Sequence, residues 1–240
     1  MITSKDNDKI KYLKKLKDAK FMKEEKKFIV EGNHLVLEAL NAGILLETYS
    51  LYDNDYHCNN YLVSDSVLKS ISSHKSVPDI IGVCKFIDEA NDFGNKIIIL
   101  DNVQDPGNVG TIIRSALAFG FTDVVLSLDS VNKYNDKLIR ASQGMLFNIN
   151  VVSCDIKELI HQLKSNKYDV YGTNVINGIN VNEVNKDAKI AVVMGNEGTG
   201  ISDDVKSLID KNIYIKTSDK CESLNVSVAA SIIMYELGGK

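Results

Sequence analysis

The sequence predicts an α/β protein in which a smaller N-terminal α/β domain precedes a larger domain built on a parallel sheet. From Lys96 onward, apolar runs of strand length alternate with helical patterns, and this alternation is typical of a parallel sheet covered by helices on both faces. The earlier part of the chain has a different order of elements, and the polar segment 88–95 reads as a linker. We therefore expect one domain over residues 1–90 and a second over residues 96–240.

The elements of the first domain follow from periodicity and from start and stop residues. Apolar residues that recur every three positions predict one basic helix over 8–23. Asn33 is placed to begin a second helix, and Gly43 is placed to stop it. The other elements expected here are strands near 28–30, 45–52, 60–63 and 80–86, and a helix near 65–73.

The second domain shows a more regular alternation. Strands are expected at 97–100, 123–128, 149–152, 168–173, 189–194 and 213–216, with helices between most of them and a last helix over about 224–237. In such sheets, ligands bind at the loops that leave the carboxyl ends of the strands. These loops are therefore where functional residues are expected.

Composition limits the class of protein. The chain has 240 residues, of which 44% are hydrophobic and 25% charged, so a packed core is expected and global disorder is not. The N-terminal segment is charged with no apolar stretch behind it, and the longest apolar runs are of strand length. We therefore expect a cytoplasmic protein that does not bind membranes. The four cysteines form no CxxC pair and the four histidines no HExxH pattern, so no metal site is expected.

Charge is distributed unevenly along the chain. The net charge is −4, but residues 1–30 contain ten lysines and five acidic residues. The first thirty residues therefore carry a charge of +5 and the remainder −9. Such asymmetry indicates either a basic arm that tracks phosphates or a solvated, lysine-rich helix without a partner. Charge alone does not decide between the two.

The loop after the strand at 97–100 reads DNVQDPGNVG. Pro106 and Gly107 indicate a turn, and Asn108 stands where the N-cap of a helix is expected. A capped turn explains these residues without any function, but it does not explain Arg114. That arginine lies in an otherwise small and apolar helix, where its charge must reach solvent or bind an anion. A phosphate is the natural bidentate partner.

Two further loops follow later strands. The loop GNEGTG, over 195–200, is neither a Walker loop nor a dinucleotide fingerprint. A tight connection would explain its glycines, but Glu197 in their midst favours ligand binding. In the third segment, CESLNVSVAASIIMYEL, either Ser223 or Asn225 could be only the N-cap of the last helix.

Taken together, these segments resemble the SpoU (TrmH-like) family of RNA ribose 2′-O-methyltransferases, within the SPOUT superfamily. The family's three motifs are matched by DNVQDPGNVGTIIRSALAFG, VVMGNEGTGIS and SLNVSVAASI, and RASQGMLFNINVV resembles its connecting segment. The stretch from SKDNDKIKYLKKL through KFIVEGNHLVLEAL is similar to the family's ribosomal-protein-like substrate-binding domain. The resemblance therefore covers nearly the whole chain.

The resemblance implies a fold, a cofactor and a set of site residues. It implies a catalytic domain with a deep trefoil knot, S-adenosylmethionine as cofactor, and a homodimer packed through the knot region. Carried over by position, the catalytic residues would be Asn108, Arg114, Glu197, Ser223 and Asn225. The cofactor would contact backbone groups around Gly195, Ile215 and Leu224, with Thr173 nearby.

The resemblance also implies a substrate, and it raises the question of what the arginine does in the reaction. Structured RNA is the expected partner, ribosomal RNA is favoured over transfer RNA, and DNA is not expected. The family's arginine is often assigned as a general base, but arginine is effectively always protonated. Our hypothesis is that Arg114 grips a phosphate and stabilises the developing alkoxide, with Asn108 and Ser223 fixing its orientation.

Some questions stay open at this level. Relatives often carry Pro-Gln-Gly where this chain has Pro78, Asp79 and Ile80, which leaves the bound RNA undetermined. The modified nucleotide, and whether the role is housekeeping or antibiotic resistance, are also undetermined. A non-catalytic RNA-binding assembly factor on the same fold is the main alternative. A nucleotide-binding oxidoreductase is disfavoured because its glycine fingerprint is missing from the first βα turn.

Overall fold

The computed structural model describes residues 1–73, 76–90, 92–174, 178–218 and 220–238. The chain divides into two compact units, an N-terminal unit over Met1–Asp88 and a C-terminal unit over Glu89–Lys240. Within the described ranges, no helix combines the length and the apolar character that crossing a bilayer would require.

The N-terminal unit is a four-stranded sheet with helices. Its sheet order is β1-β4-β2-β3, in which β2 and β3 run parallel and the other two pairs are antiparallel. Its elements are α1 (Asp8–Lys15), α2 (Ala19–Glu25), β1 (Lys27–Glu31), α3 (Asn33–Asn41), β2 (Leu45–Ser50), β3 (Asn59–Leu62), α4 (Asp65–Ile71) and β4 (Ile80–Lys85).

The single basic helix predicted over 8–23 is wrong, because the structure has two helices there. Asp18 separates them: it is the N-cap of α2, and its carboxylate accepts hydrogen bonds from the backbone N–H groups of Lys20 and Phe21. Ile10 and Leu13 of α1 are fully buried against the sheet. The apolar repeat therefore identified the buried face correctly but missed the cap that interrupts it.

The C-terminal unit is built on a seven-stranded sheet of order β7-β6-β5-β10-β8-β11-β9, in which every pair is parallel. The predicted parallel α/β fold is confirmed. The helices and strands are β5 (Lys96–Leu100), α5 (Pro106–Ala118), β6 (Asp123–Ser127), α6 (Asp136–Ala141), β7 (Asn150–Cys154), α7 (Ile156–Ser165), β8 (Asp169–Thr173), β9 (Ile179–Asn180), β10 (Ile190–Met194), α8 (Asp203–Lys206), β11 (Lys211–Tyr214) and α9 (Val226–Leu237), with 3₁₀ turns at Met145–Asn148 and Val181–Glu183.

The central strands of this sheet are continuous apolar runs. Every residue of β6 and β10 is buried, as expected for parallel strands covered on both faces. Two details differ from prediction. The strand expected at 213–216 ends at Tyr214, and the two-residue strand β9 was not predicted.

The segment predicted to be a linker is bound to the C-terminal unit. The Tyr168 hydroxyl donates hydrogen bonds to the backbone carbonyls of Phe93 (3.0 Å) and Gly94 (2.9 Å). The ammonium group of Lys133 pairs with the Glu89 carboxylate. The described residues of this segment are therefore anchored to the C-terminal unit rather than forming a free connection.

Candidate functional site

Three loops of the C-terminal unit leave the same edge of its sheet. One follows β5, one follows β10 and one follows β11, and these strands are parallel members of one sheet in which β5 lies directly beside β10. Because the carboxyl ends of parallel strands lie at one edge, the three motifs that are distant in sequence come together there.

Side chains from all three motifs form one hydrogen-bonded chain. The amide of Asn225 donates to the Asn108 side-chain oxygen at 3.1 Å. The Asn108 amide in turn donates to Oε1 of Glu197 at 2.8 Å. Three of the five residues expected to be catalytic are thus brought into direct contact. The second carboxylate oxygen of Glu197 has no hydrogen-bond partner among the residues that the structure describes.

The position of Asn108 explains why it can make these bonds. It was predicted to be the N-cap of α5, which is wrong: Asp105 is the N-cap, Pro106 occupies the first turn, and the Asp105 carboxylate accepts a hydrogen bond from the Asn108 backbone N–H at 2.8 Å. The Asn108 side chain is therefore not used for capping. Asn225 does cap α9, since its side-chain oxygen accepts bonds from the backbone N–H groups of Ser227 and Val228.

The loop over 195–200 is a closed turn. The backbones of Asn196 and Gly200 exchange two hydrogen bonds of 3.0 and 2.9 Å. The Asn196 side-chain oxygen also accepts from the backbone N–H groups of Gly198 and Thr199. Its amide donates to the carbonyl of Asn102 at 2.8 Å. Asn196 therefore shapes this loop and ties it to the loop after β5.

A second contact joins the same two loops. Asp101, the first residue after β5, is buried and accepts a hydrogen bond from the Ser202 backbone N–H at 2.7 Å. Neither Asp101 nor Asn196 was predicted from the sequence to be a site residue. The available signal was an acidic or amide side chain directly at the carboxyl end of an apolar strand, where a buried polar group must find a partner.

The three glycines in the loop have different surroundings. A Cβ atom at Gly195 would lie 2.1 Å from the backbone nitrogen of Ile201, so the turn closes only without a side chain there. At Gly198 the nearest atom would be 3.6 Å away, and at Gly200, whose φ is +73°, nothing lies within 4 Å. Glycine is thus required for closure at Gly195, whereas Gly198 has room for a Cβ and Gly200 is favoured by its left-handed backbone conformation.

A cavity of about 550 Å³ lies against these loops. Its lining includes all four residues expected to contact the cofactor, namely Thr173, Gly195, Ile215 and Leu224, and three of the expected catalytic residues, Glu197, Ser223 and Asn225. Residues that the sequence analysis did not single out complete it, among them Asn174, Thr217, Met194, Ile213, Ala229 and Ile233. A cavity of this volume with both apolar and polar walls suits a small molecule that has an apolar part and a polar part.

Arg114 and Ser223 do not take part in the hydrogen-bonded chain. Arg114 lies on α5 with its side chain exposed, and the described part of the chain offers its guanidinium no hydrogen bond or ion pair. The Ser223 hydroxyl likewise has no partner there. The predicted orientation of Arg114 by Asn108 and Ser223 is therefore not observed, since Asn108 holds Glu197 and Asn225 instead. The arginine reaches solvent and is available to an anion.

The two helices that carry the motifs are joined directly. The hydroxyl groups of Ser115 on α5 and Ser231 on α9 lie 2.7 Å apart. Across the described ranges, no three His, Cys, Asp or Glu side chains are grouped so that they could hold a metal ion.

Two protein families match this chain, each over a different range of residues. Residues 95–235 match the SpoU rRNA Methylase family. Residues 7–82 match the MRM3-like substrate binding domain.

Individual proteins are similar over nearly the whole length. The chain is 35% identical to the 23S rRNA (guanosine(2553)-2′-O)-methyltransferase RlmP of Bacillus subtilis, over 99% of each chain. A putative RNA methyltransferase of the TrmH family from Porphyromonas gingivalis has a similar structure, with a TM-score of 0.87 at 27% identity over 97% of each chain. The S-adenosylmethionine-bound rRNA methyltransferase of Sinorhizobium meliloti has the same fold, with a TM-score of 0.89 at 23% identity over 98% of this chain and 96% of that one.

Proposed function

The chain belongs to the SpoU rRNA methylase family, and we propose that it transfers a methyl group from S-adenosylmethionine to a ribose 2′-hydroxyl of ribosomal RNA. The observation that carries this proposal is the hydrogen-bonded chain Asn225–Asn108–Glu197. It joins one side chain from each of the three motifs beside the cavity. The name of the Bacillus subtilis relative, a 23S rRNA methyltransferase, supports ribosomal over transfer RNA.

The cavity fits the cofactor by its chemistry. S-adenosylmethionine has a flat base, a ribose and a charged amino-acid end, and it supplies a methyl group carried on a positively charged sulfur. The apolar walls formed by Ile213 and Ile233 suit the base, and the open space at Gly200 leaves room against the backbone. We assign cofactor contacts to the backbone around Gly195, Ile215 and Leu224, with Thr173 nearby.

Arg114 acts on the RNA in this proposal. A 2′-hydroxyl is a weak nucleophile, and holding it in place can contribute about 7–11 kcal/mol in well-oriented cases. Because its guanidinium stays protonated, Arg114 cannot accept the hydroxyl proton. It can bind a neighbouring phosphate through two N–H groups and stabilise negative charge that develops on the ribose oxygen. Its exposure and its lack of a partner among the described residues support this role.

Glu197 positions the hydroxyl. Asn108 occupies Oε1 of its carboxylate, which fixes the group and leaves the other oxygen to accept a hydrogen bond from the ribose hydroxyl and to take its proton as the new O–C bond forms and the bond from sulfur to the methyl group breaks. Asn225 holds Asn108 while it caps α9, so the orientation of the carboxylate is set by a helix end. Ser223 lines the same cavity and completes the catalytic set.

The two parts of the chain have separate tasks. We assign RNA binding to residues 1–90 and methyl transfer to residues 96–240. The match of residues 7–82 to a substrate-binding domain supports this division. Since ribosomal RNA is the proposed substrate, we expect the protein to act in the cytoplasm.

We also propose a homodimer packed through a knotted C-terminal region. Val228, Ile232 and Tyr235 follow each other at one-turn spacing on α9, and Val228 and Tyr235 are 47% and 67% exposed. An apolar strip on a helix at the protein surface is typical of an interface. A dimer packed through the region of α9, as the family resemblance implies, would cover this apolar strip.

The proposal is tested by methyl transfer from labelled S-adenosylmethionine into total RNA from a strain that lacks the gene. Wild-type protein is expected to label ribosomal RNA, and Arg114→Ala is expected to abolish labelling without abolishing cofactor binding. Absence of both RNA labelling and cofactor binding would contradict the proposal and support the non-catalytic assembly factor.

A further inference from the structure

The N-terminal unit is electrically polarised. Met1–Asp88 contains thirteen lysines, no arginine and thirteen acidic residues, so its formal charge is zero. Residues 1–30 hold +5 of this unit's charge and residues 31–88 hold −5. The positive charge of this unit is therefore concentrated on α1, α2 and the start of β1.

The lysines of this region are mostly not neutralised by the protein. Of the ten lysines in residues 1–30, only Lys17 forms an ion pair with a residue that the structure describes, and its partner is Glu31. On α1, Lys11 and Lys15 are both exposed and lie one turn apart. Two like charges at this spacing destabilise a helix by about 0.2–0.5 kcal/mol. The surface therefore carries repulsion that a bound polyanion would relieve.

Several of these lysines lie over aromatic rings. The Lys9 ammonium is 4.1 Å from the centre of the Tyr61 ring. Those of Lys15 and Lys27 are 5.9 and 5.7 Å from the rings of Phe21 and Tyr12 respectively. Such contacts contribute about 0.5–1 kcal/mol each at exposed sites, so they restrain flexible side chains before any ligand arrives.

The rings themselves form two pairs. Tyr12 and Phe21 make an edge contact with their ring centres 5.7 Å apart, and Tyr49 and Tyr61 are 5.1 Å apart. Burial and the hydrogen bond to the Glu25 carboxylate raise the pKa of Tyr12 to about 12, so its ring carries no charge at neutral pH. The ammonium groups thus rest on neutral, packed rings.

Another exposed edge of this unit has the opposite charge. The loop after β2 contains Asp53 and Asp55, both exposed, and Leu51 in the same loop bonds to the backbone carbonyl of Asp79 before β4. Acidic side chains at this edge repel phosphates. The charge distribution therefore favours one face for the RNA backbone and disfavours this one.

We propose that the surface formed by Lys9, Lys15 and Lys27 over Tyr12, Phe21 and Tyr61, the lysine–aromatic surface, binds the sugar–phosphate backbone of the substrate RNA. This inference rests on the proposed function and adds to it the face through which RNA is held. Phosphate contacts fix register and orientation without reading sequence. The lysine–aromatic surface would thus position the RNA, and the choice of nucleotide would be made elsewhere.

The test compares two full-length double variants of equal charge. Lys9→Gln with Lys15→Gln alters the lysine–aromatic surface, and Lys69→Gln with Lys157→Gln alters exposed lysines elsewhere. Binding to a 23S rRNA transcript is measured over a range of salt concentrations. Each phosphate contact contributes about 0.7–0.9 to the slope of log Kd against log salt. The first variant, which removes two lysines, is expected to lose about 1.4–1.8 from this slope, and the second is expected to match wild type.

Kinetics supply a second readout. The surface variant is expected to raise KM for RNA while leaving kcat at saturating RNA and the Kd for S-adenosylmethionine unchanged. Replacing the same two residues with arginine is expected to retain the wild-type slope. Equal slopes for both glutamine variants would overturn the inference. Absence of methyl transfer by wild-type protein would instead overturn the proposed function, so the two failures are distinguishable.

Discussion

For Arg114, the sequence and the structure both indicate a functional role. The sequence placed a charge in a small, apolar helix, and the structure shows that the guanidinium reaches solvent without a partner in the described part of the chain. Keeping a long, charged side chain without a partner on the helix that carries the first motif has no evident structural benefit. Its use by a phosphate-bearing substrate explains why the position carries arginine, whose planar fork matches phosphate geometry.

Replacing Arg114 with lysine keeps the charge and removes the fork. We expect Arg114→Lys to lower kcat by about 100-fold, because a single donor that stabilises developing charge is worth a factor of about 10²–10³. The Kd for S-adenosylmethionine, measured by calorimetry, should not change, since Arg114 does not line the cavity. Turnover at the wild-type rate would contradict the assigned role.

Asn108 offers a test of the hydrogen-bonded chain. Asn108→Asp would replace the amide donor that lies 2.8 Å from Glu197 with a second carboxylate. We expect kcat to fall by about 100-fold, because the two carboxylates repel each other and Glu197 loses its orientation.

The matched control is Asn166→Asp, which makes the same chemical change at the exposed end of α7. It should retain normal turnover. If Asn108→Asp and Asn166→Asp both retained the wild-type kcat, the hydrogen-bonded chain Asn225–Asn108–Glu197 would have no role in turnover.

At the scale of elements, the sequence predicted those that local patterns determine. The continuous apolar runs of β5 and β10 are recognisable because both faces of these strands are buried. The two residues of β9 are too few to show a period, and their pairing depends on β11, which is distant in sequence. Asp18 was overlooked as a helix start because the apolar repeat continued through it.

The same distinction applies to the site. Glu197 and Asn225 were identified through motifs that are contiguous in sequence. The hydrogen bonds that Asn196 donates to Asn102 and that the Ser202 backbone donates to Asp101 join loops about a hundred residues apart. No local pattern encodes such pairs, since they exist only once β5 and β10 lie side by side. Similarly, a knot could be inferred from family resemblance but not from periodicity.

The glycine-rich loop provides a matched pair of variants. Gly195→Ala would place Cβ 2.1 Å from the Ile201 nitrogen and force the turn open, whereas Gly198→Ala meets its nearest neighbour at 3.6 Å. Overpacking of this kind typically costs about 1–3 kcal/mol. We expect cofactor affinity to fall by about tenfold or more in the first variant and to stay near wild type in the second. Equal affinities, measured by calorimetry, would contradict the importance of loop closure.

At the scale of the whole molecule, the proposed dimer depends on the exposed strip of α9. Val228→Glu with Tyr235→Glu would place two charges there, and burying unpaired charges in an interface is costly. We expect the double variant to sediment as a monomer while its circular dichroism stays that of wild type. The loss of the Tyr235 edge contact with Phe119 should cost only about 0.5–1.5 kcal/mol.

Leu37→Glu provides the control, since Leu37 is a 42% exposed residue of α3 in the other unit. That variant should sediment as wild type does. A dimer that survives both changes on α9 would place the interface elsewhere.

We propose that three motifs assemble one methyl-transfer site for ribosomal RNA. The most direct measurement is a map of 2′-O-methylated nucleotides in 23S rRNA from cells with the gene, without it, and with Arg114→Ala in its place. We expect one ribose methylation that is present only with the intact gene. Identical maps for all three strains, or a lost methylation that Arg114→Ala restores in full, would contradict it.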